Sequence, residues 1–391
     1  MKTFKQLGSI GISLLTLSTV YACNINEKKK PIELIAQAIE PDKHKEANIV
    51  QIALLLDTSN SMDGLINQAK SQLWDIVNEF SYAKCGNDTR PSLQIALYQY
   101  GNDNLSANEG YIQQVLGFSS DLDEISEKLF SLTTNGGEEY CGKVLQTSLH
   151  QLPWNKNPDL LRMIFIAGNE PFDQGRYNYR TALTNANEKD VVVNTIFCGN
   201  YDLGVNTNWK NGASLTGGEY MAIDHNKKVV HINTPYDDII IKLNSRLNNT
   251  YVSYGSMGKS KIIAQEVQDS NALEMQEAVA VKRAVSKSSR LYNNKKWDLV
   301  DAYDDVEFEI SSVENDELPE ELQGKNEKEI KTFVESKKNE REEIQKEIQE
   351  YNKKRLAYIS EHQKDDKSGD LENAMIKAIK KQAKTKNYSW E

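Results

Sequence analysis

An open α/β fold with a mostly parallel, doubly wound sheet is predicted for the first two-thirds of this chain, and three observations predict it. Ile49 to Leu56 is a nearly continuous apolar run, the mark of a strand buried on both faces. Leu65, Ala69, Leu73, Ile76 and Phe80 follow it at helical spacing. The same alternation of strand and helix then repeats down the chain, which argues for parallel crossover units.

The elements follow in order. Leu93 to Tyr100 and Tyr111 to Phe118 read as strands, and Asp121 to Leu132 and Gly142 to Leu152 fit helices. Arg162 to Ala167 (Arg-Met-Ile-Phe-Ile-Ala) is another buried strand. Tyr177 to Lys189 is a polar helix, Val191 to Phe197 a strand, Glu219 to Ile223 the last strand, and Tyr236 to Asn248 a closing helix. In such sheets ligands sit beyond the carboxyl ends of the strands.

The character changes after about Tyr254. Lys261 to Tyr292 is helical, with apolar Ile262, Val267, Leu273, Val279, Val281 and Val285. Val300 to Val313 is acidic and reads as a loop or short strand. Glu327 to Tyr358 is densely charged, with Ile330, Val334, Ile344, Ile348, Tyr351 and Tyr358 spaced by fours and threes. Lys337 and Arg341 interrupt that seam, so the heptad is weak. Two readings stand: a helical hairpin or short coiled coil able to self-associate, or a single solvated helix laced with i,i+4 ion pairs. Leu371 to Lys384 is one more helix.

The chain's 57 acidic and 47 basic residues leave a net charge of −10, which argues against a general nucleic-acid binder. At the start, Lys2 and Lys5 precede a mildly apolar run, Leu7 to Val20, and then Val20-Tyr21-Ala22-Cys23. That order describes a secretory signal, too short to be a membrane span. A cysteine just after the small residue resembles a bacterial lipobox. The resemblance implies that the Cys23 thiol carries diacylglycerol and that the protein is exported and anchored to the cell envelope, on its surface or facing the periplasm. Tyr21 departs from the usual small residue. The expected organisation is a signal at 1–23, a polar tether at 24–46, the α/β domain at 47–253 and a charged helical region at 254–391.

The segment that carries chemistry is Leu54-Leu55-Leu56-Asp57-Thr58-Ser59-Asn60-Ser61-Met62, a buried strand ending in Asp-x-Ser-x-Ser with a helix directly after it. A hard divalent cation takes oxygen ligands, and two hydroxyls with one carboxylate supply them at low total charge. The plain alternative is that Asp57 and Ser59 cap the helix. This segment resembles the metal-ion-dependent adhesion site of the von Willebrand factor A domain. Gly136-Gly137-Glu138-Glu139-Tyr140-Cys141-Gly142 is similar to that family's second loop. Phe165-Ile166-Ala167-Gly168-Asn169-Glu170-Pro171 is similar to its third, and Thr216-Gly217-Gly218-Glu219-Tyr220 to its Thr-Gly-Gly turn. The resemblance covers about Ile49 to Tyr251.

The resemblance implies a metal held by Asp57, Ser59 and Ser61, with Mg2+ or Mn2+ as the ion and Ca2+ as a further candidate. It also implies a protein partner that offers an acidic side chain to the metal. Two positions depart from the family. Loop two usually offers Thr, where Glu138 or Glu139 stands nearest with Thr134 before them. Loop three usually offers Asp, where Asn169 stands. Moving a carboxylate from the third loop to the second conserves the charge around the ion. Tyr140, Tyr177, Tyr179 and Trp209 are candidates for the surrounding face. Cys141 and Cys198 both fall near that face, so they are the expected disulfide pair; the alternative is that Cys85, Cys141 and Cys198 are buried thiols. No histidine cluster, Gly-x-Ser-x-Gly elbow, P-loop or His-Glu-x-x-His accompanies the acids, so a binding module is expected rather than an enzyme. A metal-activated hydrolase and a structural protein with a vestigial site are the other classes weighed.

Overall fold

The computed structural model describes residues 48–86, 89–224, 231–362 and 371–390. The signal, Cys23 and the tether lie outside the described residues. Among the described residues, no helix is long and apolar enough to cross a membrane.

The first strand, β1 (Ile49–Asp57), alternates its side chains between two cores. Val50, Ile52, Leu54 and Leu56 enter one and Ala53 and Leu55 the other, which is why its apolar run is unbroken. Helix α1 (Asp63–Ser81) packs Leu65, Ile66, Leu73, Ile76 and Phe80 on the first face, at the predicted spacing. A short strand, β2 (Ala83–Cys85), then precedes β3 (Ser92–Tyr100) and β4 (Ile112–Ser119). Helices α2 (Leu122–Phe130) and α3 (Cys141–Gln151) lead to β5 (Arg162–Gly168), α4 (Tyr179–Glu188) and β6 (Val192–Cys198). Two single-turn helices, α5 (Tyr201–Asn206) and α6 (Trp209–Ser214), precede β7 (Tyr220–Ile223) and α7 (Asp237–Asn248).

These strands form a six-stranded sheet in the order β4-β3-β1-β5-β6-β7. Only β4 runs antiparallel, paired to β3; the other pairings are parallel. The chain leaves β1 toward β3 and β4 and returns to its other side at β5. The order therefore reverses at β1, and a crevice opens beyond its carboxyl end.

The remaining helices are α8 (Gly258–Met275), α9 (Glu277–Lys287), the single turn α10 (Leu299–Ala302), α11 (Glu327–His362) and α12 (Leu371–Lys384), with a last strand β8 (Tyr388–Trp390). Apart from α10, they share the core of the first face: Val281, Val285, Ile344, Ile348 and Met375 belong to the same apolar cluster as Val50 and Leu54. Strand β8 pairs antiparallel with β2.

Helix α11 is one helix of 36 residues, and its seam is used within the chain. Ile344 and Ile348 are fully buried against the first core, and Ile330 and Val334 join a smaller core with Val252, Leu299 and Leu322. Arg341, which breaks the heptad, is buried with its guanidinium on Asp298 and Asp301, both at 2.7 Å. Lys337 reaches the carbonyl of Asn249 at 3.0 Å. The expected hairpin or coiled coil is replaced by a helix laid along α7 and α9.

Candidate metal site

The rim is built from the ends of β1, β3 and β5 and the loop entering α3. Asp57 is the last residue of β1 and fully buried. Its Oδ1 accepts the backbone N–H of Ser59 at 2.7 Å, which turns the chain sharply. Neither Asp57 nor Ser59 caps α1. The residue at its N-cap is Met62, with no side-chain cap, so the capping alternative falls away.

Glu139 enters from loop two and is buried beside Asp57. Its backbone N–H donates to Gln174 Oε1 at 3.0 Å. Asn169 follows β5, and its amide Nδ2 lies 3.4 Å from Ser61 Oγ. The structure thus brings Asp57, Ser59, Ser61, Glu139 and Asn169 to one rim. It leaves Glu138 out: that side chain is exposed, one residue along and on the opposite side of the extended loop. Thr134 is also accounted for, because its hydroxyl donates to Asp63 Oδ1 at 2.5 Å.

What marks the site is a set of unmet oxygens. Asp57 Oδ2, Ser59 Oγ, Glu139 Oε2 and Asn169 Oδ1 are all buried with no hydrogen-bond partner. Buried polar atoms are nearly always paired, because an orphan costs about 1–3 kcal/mol. Four acceptor-capable oxygens from three chain segments gathered at one rim are the donor set a hard divalent cation needs.

The electrostatics agree. Burial, only partly offset by the backbone N–H of Ser59, leaves Asp57 raised to about 6. Burial and the neighbouring Asp57 charge push Glu139 up to about 10, with Glu170 adding to both. Two carboxyl groups this close and this dry cannot both ionise at neutral pH unless a cation joins them. Among the described residues, no group of three or more His, Cys, Asp or Glu is placed to hold a metal, so hydroxyl and amide oxygens must complete any coordination here.

Glycines create the space. Gly101, at φ +75°, would place a Cβ 2.7 Å from Glu139 Cγ and 3.0 Å from Asp57 Oδ1. A Cβ at Gly168 would fall 2.4 Å from the Tyr100 hydroxyl and 3.1 Å from Asp57 Oδ2. Any side chain at either position fills the cradle.

Several contributors escaped the sequence reading. The buried Tyr100 donates its hydroxyl to the Ala167 carbonyl at 2.8 Å, tying the end of β3 to the end of β5 across Asp57. Asn102 Nδ2 reaches the carbonyls of Thr58 and Thr133 at 3.3 and 2.9 Å, so it clamps loop one to loop two. The signal was a Tyr-Gly-Asn directly after a strand, and only the parallel pairing of β3 with β1 gives it meaning.

Two other expectations are corrected. Cys85, Cys141 and Cys198 are free, buried thiols. Cys141 packs in the core on one face of the sheet and Cys198 in the core on the other, so the sheet itself separates the expected pair. Of the four aromatic candidates, Tyr179 and Trp209 are buried in the second core, and Trp209 Nε1 donates to the Glu170 carbonyl at 2.8 Å. Tyr140 and Tyr177 do remain partly exposed.

Residues 51–208 match the model of the von Willebrand factor type A domain. This segment is a von Willebrand factor type A domain. Among solved structures, the chain is similar to proximal thread matrix protein 1 of the mussel byssus, in a form with a zinc-occupied MIDAS motif. Identity is 17%, over 46% of this chain and 43% of that one, with a TM-score of 0.36. The SpRpn10 VWA domain matches at 12% identity over 46% of this chain and 99% of that one, TM-score 0.34. The pilus adhesin SpaC of Lactobacillus rhamnosus GG, in an open conformation, matches at 14% over 46% and 28%, TM-score 0.33. The chain spans less than half the length of the mussel protein. No curated protein matches the sequence. Von Willebrand factor type A domains commonly mediate metal-dependent protein binding and are generally non-catalytic.

Proposed function

We propose that this chain is a divalent-cation-dependent protein-binding module, anchored to a bacterial cell envelope by lipid on Cys23. The observation that carries the binding reading is the set of four buried, unpaired oxygens on Asp57, Ser59, Glu139 and Asn169. Asp57, Ser59, Glu139 and Asn169 hold the ion in this reading, with Ser61 at the exposed edge. Mg2+ and Mn2+ fit the hard oxygen set best. When bound, the ion supplies positive charge to two buried carboxylates and an open position for an acidic side chain of the partner. Glu139 takes the role that an acid in loop three plays in the family, and Asn169 contributes a neutral oxygen in its place. The affinity of one carboxylate is modest, so the surrounding loop surface adds specificity.

Calorimetric titration tests the metal reading. One Mg2+ or Mn2+ per chain is expected, with binding abolished in Asp57→Ala. No binding to the wild type, or equal binding by the variant, overturns it. For the anchor, metabolic labelling with an alkynyl fatty acid should mark the wild type and not Cys23→Ser; equal labelling sinks that part alone.

A further inference from the structure

Two banks of accessible rings flank the metal loops. On one side, α5 directly follows the end of β6, and its Tyr201 and Leu203 are 50% and 52% exposed. The segment that follows is stitched to loop three, because Phe172 N–H donates to the Thr207 carbonyl at 2.9 Å and Asn208 Nδ2 to Asp173 at 3.1 Å. Asp202 gives this bank a negative charge beside its apolar side chains.

On the other side, Tyr140 directly follows Glu139. Its ring lies 6.3 Å from Tyr111 and 5.7 Å from Tyr177. The Lys143 ammonium and Arg176 guanidinium stand 5.2 and 5.3 Å from the centre of the Tyr177 ring. The cluster is built in rather than accidental: a Cβ at Gly175, which sits at φ +78°, would fall 2.5 Å from the Tyr140 ring. Glu138 is the exposed acid beside this bank.

We propose that these banks read the residues on either side of the acidic group that a partner gives to the metal. The occupant is an extended peptide segment with a central acid. An apolar side chain on one flank covers Tyr201 and Leu203, where Asp202 repels a second acid. A second carboxylate on the other flank meets Arg176 and Lys143, whose two positive charges outweigh the single negative charge of Glu138. Tyr201 and Leu203 offer adjacent apolar surface at the end of β6, and Lys143 and Arg176 gather two positive charges at the Tyr177 ring, complementary to an anion. The inference rests on the metal reading above.

The test uses a panel of synthetic nine-residue peptides with a central Glu in a Gly/Ser background. A Leu and a second Glu are moved singly and together across the flanks. Fluorescence anisotropy in Mg2+ reads binding to the full chain. The best doubly substituted peptide should bind at least about tenfold tighter than the plain central-Glu peptide, a difference of about 1.4 kcal/mol. Leu203→Asp should erase the Leu preference alone, and Arg176→Glu the second-acid preference alone. Both variants should titrate Mg2+ as the wild type does. Metal binding with no peptide preference, or with preferences untouched by the two variants, overturns this inference and leaves the metal site standing. Absence of metal binding by calorimetry overturns the metal reading, and this inference with it.

Discussion

Buried carboxylates occur in two regions of this molecule, and the regions treat them in opposite ways. Between the sheet domain and the C-terminal helices, each buried acid has a built-in cation. Arg283, about 1% exposed, holds Asp123 at 2.8 Å and Asp269 at 2.6 Å, lies over Trp74 and shares Asp269 with Lys287. Arg341 joins Asp298 and Asp301, and Arg355 reaches Asp237 at 2.8 Å. At the rim, Asp57 and Glu139 are as dry, and no cation of the chain is paired with either among the described residues. The contrast separates structure from function. A buried acid with its own arginine is a joint, and a buried pair of acids without one is a receptor for positive charge.

The largest effect should come from breaking the joint. Arg283→Met leaves Asp123 and Asp269 buried without their shared guanidinium, which costs about 3–5 kcal/mol. Urea unfolding should show that loss, while Mg2+ titration of the folded protein should be unchanged. A loss below about 1 kcal/mol would mean that the joint, like many ion pairs, stabilises little. The rim should respond in the reverse manner. Glu139 holds its proton at neutral pH without metal, so Glu139→Gln replaces a neutral group with a neutral isostere. Metal-free stability should shift by no more than about 0.5 kcal/mol. Mg2+ affinity should fall at least about tenfold, or about 1.4 kcal/mol.

Acidity should divide the same two regions. At the joint, burial works against the Asp269 charge, but Lys287 and Arg283 outweigh it and hold the carboxyl well below its usual range. A depressed value contributes stability above the unfolded value of about 3.9, lost as pH falls through and below it. At the rim the shift is upward, so the metal-free fold favours the protonated acids and loses stability as pH rises from the unfolded value of about 4.3 toward the folded one. Mg2+ must displace that proton, so its apparent affinity should rise with pH, by up to about tenfold per unit while one proton is released. Calorimetry in two buffers of different ionisation enthalpy measures that proton. A pH-independent affinity between 6 and 8 would show that Glu139 is already ionised and that the ion neutralises nothing.

The two regions also differed in how far the sequence exposed them. Asp57-x-Ser59-x-Ser61 was legible because it is one contiguous segment, the last residue of β1 and the loop directly after it. Asn169 was legible in the same way, as the residue directly after β5. Choosing Glu139 over Glu138 was not open to spacing. Adjacent residues of an extended loop face opposite ways, and what Glu139 lies beside is Gly101, just past the end of β3 and distant in sequence. The joint was invisible. Arg341 read only as a flaw in a heptad, because its partners Asp298 and Asp301 are about forty residues away in sequence. Cys141 and Cys198 misled because both lie at strand or helix ends near the rim, and sequence does not say which face of the sheet each side chain enters.

The smallest effect is the most informative about how the rim is held. Tyr100→Phe removes only the hydroxyl that joins β3 to the Ala167 carbonyl, a bond worth about 0.5–1.5 kcal/mol. The oxygens of Asp57, Ser59, Glu139 and Asn169 all remain. If the rim is set by its ligands, Mg2+ affinity should change less than about threefold, within about 0.7 kcal/mol. If instead the hydroxyl fixes the spacing between Asp57 and Asn169, affinity should fall as far as in Glu139→Gln while thermal stability drops by only a few degrees. The first outcome is expected. Gly101 has no room for even a Cβ beside Glu139 and Asp57, so the end of β3 already lies against both acids, and that close approach does not depend on the Tyr100 hydroxyl.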